Sequence, residues 1–236
     1  MKANIHKSNE RGIGDHGWRK SFFSFSFGNY FNQRRMGFGV LRALNDEIIE
    51  PTSGLPRHPH DNIEIVTIVM KGKLENKDSS GNGSVIKSNE VQKISAGTGI
   101  SHSEWNPSDN ETLKMFQIWV EAKNRDIKPD YEQMSFDFKN RKGELITIVS
   151  GEEEEEGLTF HQDAWIKRGI LTKKQDYKYD VKDYGNLLFL FVISGSVKVG
   201  KTILKDGDSA EIYETSQLLI HANEESDILL FELPER

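Results

Sequence analysis

The sequence predicts an all-β protein, and three observations lead to this expectation. Stretches rich in β-branched and aromatic residues recur along the chain, whereas apolar residues at helical spacing are scarce. Clusters of Gly, Asn and Asp separate these stretches at short intervals. Phe, Trp and Tyr make up 10% of the residues, which supplies enough large apolar side chains for a β-type core. The pattern favours two antiparallel β-barrels or jelly rolls in tandem.

Three stretches of the first half indicate strands. Residues 63–70 form a nearly continuous β-branched run that ends at the turn Lys71-Gly72-Lys73. Extended character resumes at residues 85–94, and residues 113–120 combine branched with large apolar side chains. Short runs of this composition, closed by turn residues, are typical of strands.

The second half repeats this order of elements. An apolar strand leads through Gly195 into another strand, as the first-half strand leads through Gly72. We therefore predict an N-terminal domain at residues 1–135 and a C-terminal domain at residues 136–236. The five glutamates at 152–156 lie between the repeats and fit either a solvated loop or an acidic docking surface.

The composition excludes several classes of protein. The 37 acidic and 31 basic residues are well mixed, so no basic patch predicts direct nucleic-acid binding. Cysteine is absent, which excludes disulfides, thiolate ligands and cysteine nucleophiles. No apolar run approaches the ~20 residues of a membrane span, and the first residues lack the apolar segment of a signal peptide. We expect a cytoplasmic protein without membrane contact.

Two pairs of residues predict a metal site. His58 and His60 are two residues apart, as are His102 and Glu104, and residues two apart share one face of a strand. If both segments are strands that face each other inside a barrel, three imidazoles and a carboxylate meet at one point. Such donors suit a divalent first-row transition metal. They leave one or two positions open on a six-coordinate ion, as catalytic sites do.

Glu64 offers an alternative to Glu104. It has the same parity as His58 and His60, so we expect it to face the same cavity as a ligand, as a residue that orients a histidine, or as a general base. We favour Glu104 as the ligand and Glu64 as the orienting residue. The remaining first-half histidines have no comparable neighbours.

The internal repeat predicts one metal site per chain. When the Gly195 turn is matched to the Gly72 turn, the first histidine pair falls on Val181 and Asp183. His221 lies near the counterpart of the third histidine, but no histidine pair precedes it. The second half is therefore expected to keep the fold without the metal.

Several motifs resemble those of the pirin family, a branch of the cupin superfamily, and together they span essentially the whole chain. They are RGIGDHGW at 11–18, FSFGNY at 25–30, GFGVLR at 37–42, HPH at 58–60, SAGTGISHSE at 95–104, QIW at 117–119 and YEQ at 131–133. The resemblance implies a bicupin whose N-terminal barrel holds the metal through His58, His60, His102 and Glu104. It favours Fe(2+) as the metal, with Cu, Ni, Mn, Co and Zn as alternatives.

The resemblance also implies an activity. Similar family members are iron-binding nuclear co-regulators in animals and quercetin 2,3-dioxygenases in bacteria. We expect a dioxygenase that opens the central ring of a flavonol such as quercetin and releases carbon monoxide. Its partners are then O2 and a small planar enolic or catecholic substrate, and Glu104 changes from ligand to proton acceptor. The predicted apolar lining of the pocket consists of Phe38, Val66, Ile68 and Trp119.

Two other functions remain open at this stage. The first is a non-enzymatic iron-binding protein that senses redox state or regulates through a protein partner. The second is a storage or scaffold cupin with an occupied but idle site. Fold and ligands alone do not fix the reaction, so the sequence discriminates only weakly among these classes.

Overall fold

The computed structural model describes residues 1–79, 81, 83–152 and 156–235, so the central residues of the acidic run, 153–155, lie outside the described residues. In chain order the strands are β1 (Lys2–His6), β2 (Gly12–Asp15), β3 (Arg19–Phe23), β4 (Leu41–Ile49), β5 (Gly54–His60), β6 (Ile63–Lys71), β7 (Lys73–Asp78), β8 (Gly83–Lys87), β9 (Glu90–Ser95), β10 (Ile100–Trp105), β11 (Leu113–Glu121), β12 (Asp130–Ser135), β13 (Ile146–Ser150), β14 (Leu158–Thr159), β15 (Trp165–Leu171), β16 (Asp176–Asp180), β17 (Leu187–Ser194), β18 (Ser196–Val199), β19 (Thr202–Lys205), β20 (Ser209–Tyr213), β21 (Gln217–Ala222) and β22 (Ser226–Leu233). One short 3-10 helix covers Ser8–Glu10. None of the helical segments in the described part of the chain is long and apolar enough to cross a membrane.

The strands form two sandwiches, each with a seven-stranded and a four-stranded sheet. In the first half, the sheet β12-β9-β6-β11-β4-β3-β2 accompanies the sheet β5-β10-β7-β8. In the second half, the sheet β1-β20-β17-β22-β15-β13-β14 accompanies the sheet β16-β21-β18-β19. The sheets stay open rather than closing into barrels. Apart from that difference, the predicted all-β bicupin is confirmed.

The predicted strands and the predicted repeat are present. Residues 63–70 and 113–120 lie in β6 and β11. Residues 85–94 divide into β8 and β9 at a turn around Asn89, whose φ of 68° ends the extended run. Gly72 joins β6 to β7, and Gly195 joins β17 to β18 in the same way. Both turns lead from the large sheet of a sandwich to the small one.

The first strand of the chain belongs to the second sandwich. β1 pairs with β20 from Lys2 opposite Tyr213 to His6 opposite Ser209. It fills the sheet edge that β12 fills in the first sandwich by pairing with β9. We retain a boundary at residue 135 as a proposal, with β1 as a segment of the N-terminal part that completes the C-terminal sheet.

The two sandwiches share a hydrophobic core between their seven-stranded sheets. One cluster of buried residues contains side chains of β6 and β11 together with side chains of β17 and β22. Phe189 of β17 is fully buried, and its ring centroid lies 5.5 Å from that of Phe25, 6.0 Å from Phe38 and 5.7 Å from Phe231. Because this much aromatic surface is buried between the halves, we expect them to unfold as one cooperative unit.

The interiors of the two sandwiches differ in chemistry. The second interior is filled by aliphatic side chains of β17, β18, β20, β21 and β22. In the first interior, strand register places four buried polar residues side by side across β4, β11, β6 and β9. These are Asn45, Gln117, Thr67 and Gln92. The first interior is therefore the one suited to a polar site.

Candidate metal centre

The structure brings three of the predicted residues together. His58 and His60 come from β5, and His102 of β10 lies directly opposite His58 in the antiparallel pair. The three ring centroids are separated by 4.6 to 5.0 Å. One nitrogen of each ring can be chosen so that all three lie within 4.8 Å of one another. This spacing suits three nitrogen donors around one ion.

A β-bulge gives these strands their local geometry. His102 pairs with His58, but Glu104 pairs with Leu55, so β5 contains one extra residue between the two pairs. Bulges of this kind redirect side chains and occur beside active sites. Pro56 lies in the bulge, where a strand tolerates proline. Its carbonyl oxygen accepts a hydrogen bond from Nδ1 of His58 at 2.9 Å.

A hydrogen bond joins the turn that follows β5 to the turn that precedes β10. The backbone N–H of Asn62, just after β5, donates to the carbonyl of Gly97, just before β10, at 2.9 Å. Gly97 has a φ of 49°, and a Cβ there would lie 2.1 Å from the carbonyl oxygen of Ile127. Only glycine fits both constraints. The requirement explains the glycine that precedes the third histidine in the sequence.

In His58 and His102, Nδ1 makes a hydrogen bond within the protein, which leaves Nε2 available to a metal. His102 is fully buried, and its Nδ1–H donates to Oδ1 of Asn76 at 2.9 Å. Within the described residues, Nε2 of His102 has no hydrogen-bond partner. His58 has the same tautomer, because the carbonyl of Pro56 can only accept from Nδ1. A buried nitrogen lone pair without a partner is costly, and a bound metal ion would satisfy it.

The electrostatic environment favours neutral rings. Burial, with a smaller contribution from His58, lowers the pKa of His60 to about 4. Burial and the neighbouring rings lower the pKa of His102 to about 3. Both rings are then unprotonated near neutral pH, which is the form that binds metals.

Glu104 is not a member of the compact cluster. Two residues after His102, its side chain is fully buried and accepts hydrogen bonds from Nε2 of Gln117 at 3.1 and 2.9 Å. Burial, followed by the nearby carboxylate of Glu47, raises the pKa of Glu104 to about 7. The structure thus places the predicted carboxylate on the same strand and in the same interior, held by an amide.

Glu64 does not face the histidines. β5 ends at His60, and Asn62 has a φ of 48°, so strand parity does not continue into β6. On β6, Glu64 shares its face with Val66, which packs in the core between the sandwiches. Its carboxylate accepts a hydrogen bond from Oγ of Ser95 at 2.7 Å. The expectation that Glu64 lines the metal cavity is therefore wrong.

A surface pocket of about 700 Å³ opens over the cluster. Its walls include Phe27, Arg42, Asn62 and Trp119, and it exposes His58 and His60. Trp119 packs edge to face against His60, with 5.0 Å between the ring centroids, and against Phe27, with 4.8 Å between them. The pocket therefore joins an aromatic wall to the histidines.

The predicted lining of the pocket is correct at one position of four. Trp119 lines the pocket, whereas Phe38, Val66 and Ile68 belong to the core between the sandwiches. β6 is buried on both of its faces, so alternation along the sequence does not show which face lies inward. The inward face carries Ile65 instead, beside Trp119.

The second sandwich has a different interior at the equivalent place. β21 corresponds to β10 in sheet order, and His221 lies opposite Asp176 of β16, with 2.7 Å between Nδ1 and Oδ1. His221 is partly exposed, while its neighbours Ile220 and Ala222 point into the aliphatic core. A shift of one residue puts the imidazole on the outer face. Among the described residues, no second cluster of metal-binding side chains is present.

Sequence reasoning missed Asn76 as a partner of the site. It lies 26 residues before His102 and reaches it only because β7 and β10 are neighbours in the small sheet. Nothing in the local pattern of β7 marks this residue. Gln117 lay within a motif of the family, but its contact with Glu104 was likewise not foreseen.

We expect replacement of Asn76 by alanine to weaken metal binding about 10- to 100-fold, because partners that orient a metal-binding histidine typically have effects of this size. Titration of the apoprotein with Ni(II) measures the change. Asn140→Ala, which alters an exposed asparagine of the other half, is the matched control. Equal affinities for the two variants would show that Asn76 does not orient His102.

Fold and site together define a bicupin with a candidate metal centre in the first sandwich. The Pirin family model matches residues 5–120, and the model of the quercetinase C-terminal cupin domain matches residues 147–233. The chain belongs to the pirin family, as its motifs predicted.

Related proteins are similar to this chain over nearly its whole length. The quercetin 2,3-dioxygenase of Escherichia coli strain K12 is 37% identical over 230 residues, which cover 98% of each chain. A pirin-like protein of Caulobacter vibrioides is 34% identical and covers 93% of this chain and 94% of its own. The crystal structure of the E. coli bacterial pirin YhhW in complex with nickel(II) superimposes with a TM-score of 0.94, 36% identity and full coverage of both chains.

Proposed function

We propose that this protein is a metal-dependent dioxygenase of the quercetin 2,3-dioxygenase type. The observation that carries the proposal is the cluster of His58, His60 and His102 at an aromatic-walled pocket of about 700 Å³. A volume of this size is typical of small-molecule sites. The E. coli relative that bears this enzyme name supports the assignment, as does the related nickel complex.

The donor set fits a divalent transition metal. We propose that Nε2 of His58 and His102, together with His60, holds the ion, and that the carboxylate of Glu104 is the fourth ligand. The bound metal would act as a Lewis acid that acidifies a substrate hydroxyl and would mediate electron transfer to O2. Fe(2+) is the metal we favour, although imidazole and carboxylate also suit Ni, Cu, Mn, Co and Zn.

The side chains around the cluster would bind and orient the substrate. The rings of Trp119 and Phe27 offer flat apolar surface to a planar flavonol and keep water from it. The flavonol places its 3-hydroxyl towards the histidines, and Glu104 accepts the proton of that hydroxyl. Two carbon–carbon bonds of the central ring then break, both atoms of O2 enter the product, and the carbon between them leaves as carbon monoxide.

We expect the Fe(2+)-reconstituted protein to consume O2 when quercetin is added and to release about one carbon monoxide per O2. An oxygen electrode and a carbon-monoxide assay measure the two gases. Protein stripped with a chelator is the control, and restored activity after metal is returned links turnover to the ion. No O2 uptake by protein shown to contain metal would favour the regulatory, iron-binding alternative that acts through a protein partner.

The physiological substrate is proposed only as a class. Any small planar enolic or catecholic compound can present the same oxygen donor to the pocket, and quercetin represents that class. The proposal includes a cytoplasmic location and requires contact with neither nucleic acid nor membrane.

A further inference from the structure

A chain of hydrogen bonds connects the pocket wall with the buried carboxylate. Nε1 of Trp119 donates to Oε1 of Gln117 at 3.2 Å. Nε2 of Gln117 donates to the two carboxylate oxygens of Glu104 at 3.1 and 2.9 Å. Trp119 and Gln117 are two apart on β11, so both point into the first sandwich.

The indole of Trp119 fixes the donor-to-acceptor direction of this series of hydrogen bonds. An indole nitrogen is only a donor, so the atom of Gln117 that it meets must be the carbonyl oxygen. The amide nitrogen of Gln117 then faces Glu104 and offers its N–H groups to the carboxylate. Without the indole N–H, the oxygen end of the amide loses its donor, so the amide is held only at its contact with Glu104 and no longer aims its N–H groups from a fixed position.

Few other groups hold Glu104. Among the described residues, Gln117 donates the side-chain hydrogen bonds that Glu104 receives. The nearby buried carboxylate of Glu47 opposes its charge, and the guanidinium of Arg19 favours it without a hydrogen bond. The neighbouring polar atoms of Asn45 and Gln92 have no hydrogen-bond partner in the described part of the chain and do not reach it. The hydrogen bonds that direct the carboxylate therefore come from a single amide, that of Gln117.

We propose that Gln117 is a positioning residue that holds the Glu104 carboxylate for the metal, and that Trp119 sets the orientation of Gln117 through its indole N–H. The inference rests on the proposed function, since it takes Glu104 as the fourth ligand. It gives Trp119 two tasks: its ring forms the pocket wall beside His60, and its nitrogen acts on the ligand set.

The test is a double-mutant cycle on metal affinity, with no substrate present. Apoprotein is titrated calorimetrically with Ni(II) for the wild type, Trp119→Phe, Gln117→Leu and the double variant. We expect Trp119→Phe to weaken binding about 10-fold and Gln117→Leu up to about 100-fold, the range for residues that orient ligands. In the Gln117→Leu background, Trp119→Phe should have no further effect, because the indole acts only through the amide.

Co(II) substitution supplies a spectroscopic readout that a purely structural role would not change. The visible bands of the Co(II) protein should shift in Trp119→Phe and in Gln117→Leu towards those of Glu104→Ala. Trp165→Phe is the matched control: Trp165 is buried in the second sandwich, and its indole nitrogen has no partner among the described residues. Its affinity and spectrum should equal those of the wild type.

The outcomes separate this inference from the proposed function. If Glu104→Ala binds Ni(II) as the wild type does, the proposed ligand set fails. If Glu104→Ala weakens binding while Trp119→Phe does not, or if the effects of Trp119 and Gln117 simply add, only the positioning role is overturned. Should Trp119→Phe fail to fold, 3-benzothienylalanine at position 119 removes the N–H while preserving the bicyclic shape.

Discussion

Replacing His58 with alanine should remove the metal from the protein and abolish turnover of a flavonol. His58 supplies one of three nitrogens whose rings lie within 5.0 Å of each other, and no spare imidazole is nearby among the described residues. Loss of a ligand should weaken metal binding by more than about 100-fold, since even residues that only orient ligands account for 10- to 100-fold. Metal analysis after gel filtration measures retention, and O2 uptake measures turnover.

The fold should survive this change. His58 is only partly buried, and the hydrogen bond that it loses is to the carbonyl of Pro56 on its own strand. Thermal unfolding of the metal-free forms should therefore differ little from the metal-free wild type. His221→Ala is the matched control, because that imidazole pairs with Asp176 on an outer face. A His58→Ala protein that keeps its metal, or that degrades quercetin at the wild-type rate, would contradict the proposed centre.

Replacing Phe189 with alanine should lower the free energy of unfolding by about 3–5 kcal/mol, the usual cost of deleting a buried phenylalanine ring. This ring is fully buried and packs against aromatic rings from both sandwiches. Because the cavity would form in the core that the two sandwiches share, both sandwiches should lose stability in the same transition. Equilibrium unfolding in urea, followed by tryptophan fluorescence and circular dichroism, measures the change.

Phe31→Ala is the matched control for the core. The side chain of Phe31 is 73% exposed, so its removal should change stability by no more than about 0.5 kcal/mol. Two separate transitions in Phe189→Ala, with only one of them shifted, would show that the sandwiches unfold independently. That result would contradict a shared core.

The sequence predicted the fold and the histidine cluster because both depend on the two-residue repeat of a strand. His58 and His60 share a face for that reason, and so do His102 and Glu104. This alternation is local, so it can be read without knowledge of which strands are neighbours. The meeting of the two pairs is not local, because it depends on β5 and β10 being neighbours in one sheet.

The errors arose where a relation was not local or where the repeat was interrupted. Glu64 was assigned across a turn at which Asn62 takes a positive φ, and parity ends there. Val66 and Ile68 lie on a strand buried on both faces, so their pattern does not show which face is inward. Asn76 meets His102 through sheet neighbourhood alone.

The pairing of β1 with β20 affects how the chain folds while it is being synthesised. Lys2 is synthesised 211 positions before its partner Tyr213. At the 5–20 residues per second typical of translation, the first strand waits roughly 10–40 seconds for the sheet that accepts it. During that time its backbone groups must be satisfied by water or by a chaperone. The seven-stranded sheet of the second sandwich therefore cannot be completed before β20 has been synthesised, so its assembly comes late in folding on the ribosome.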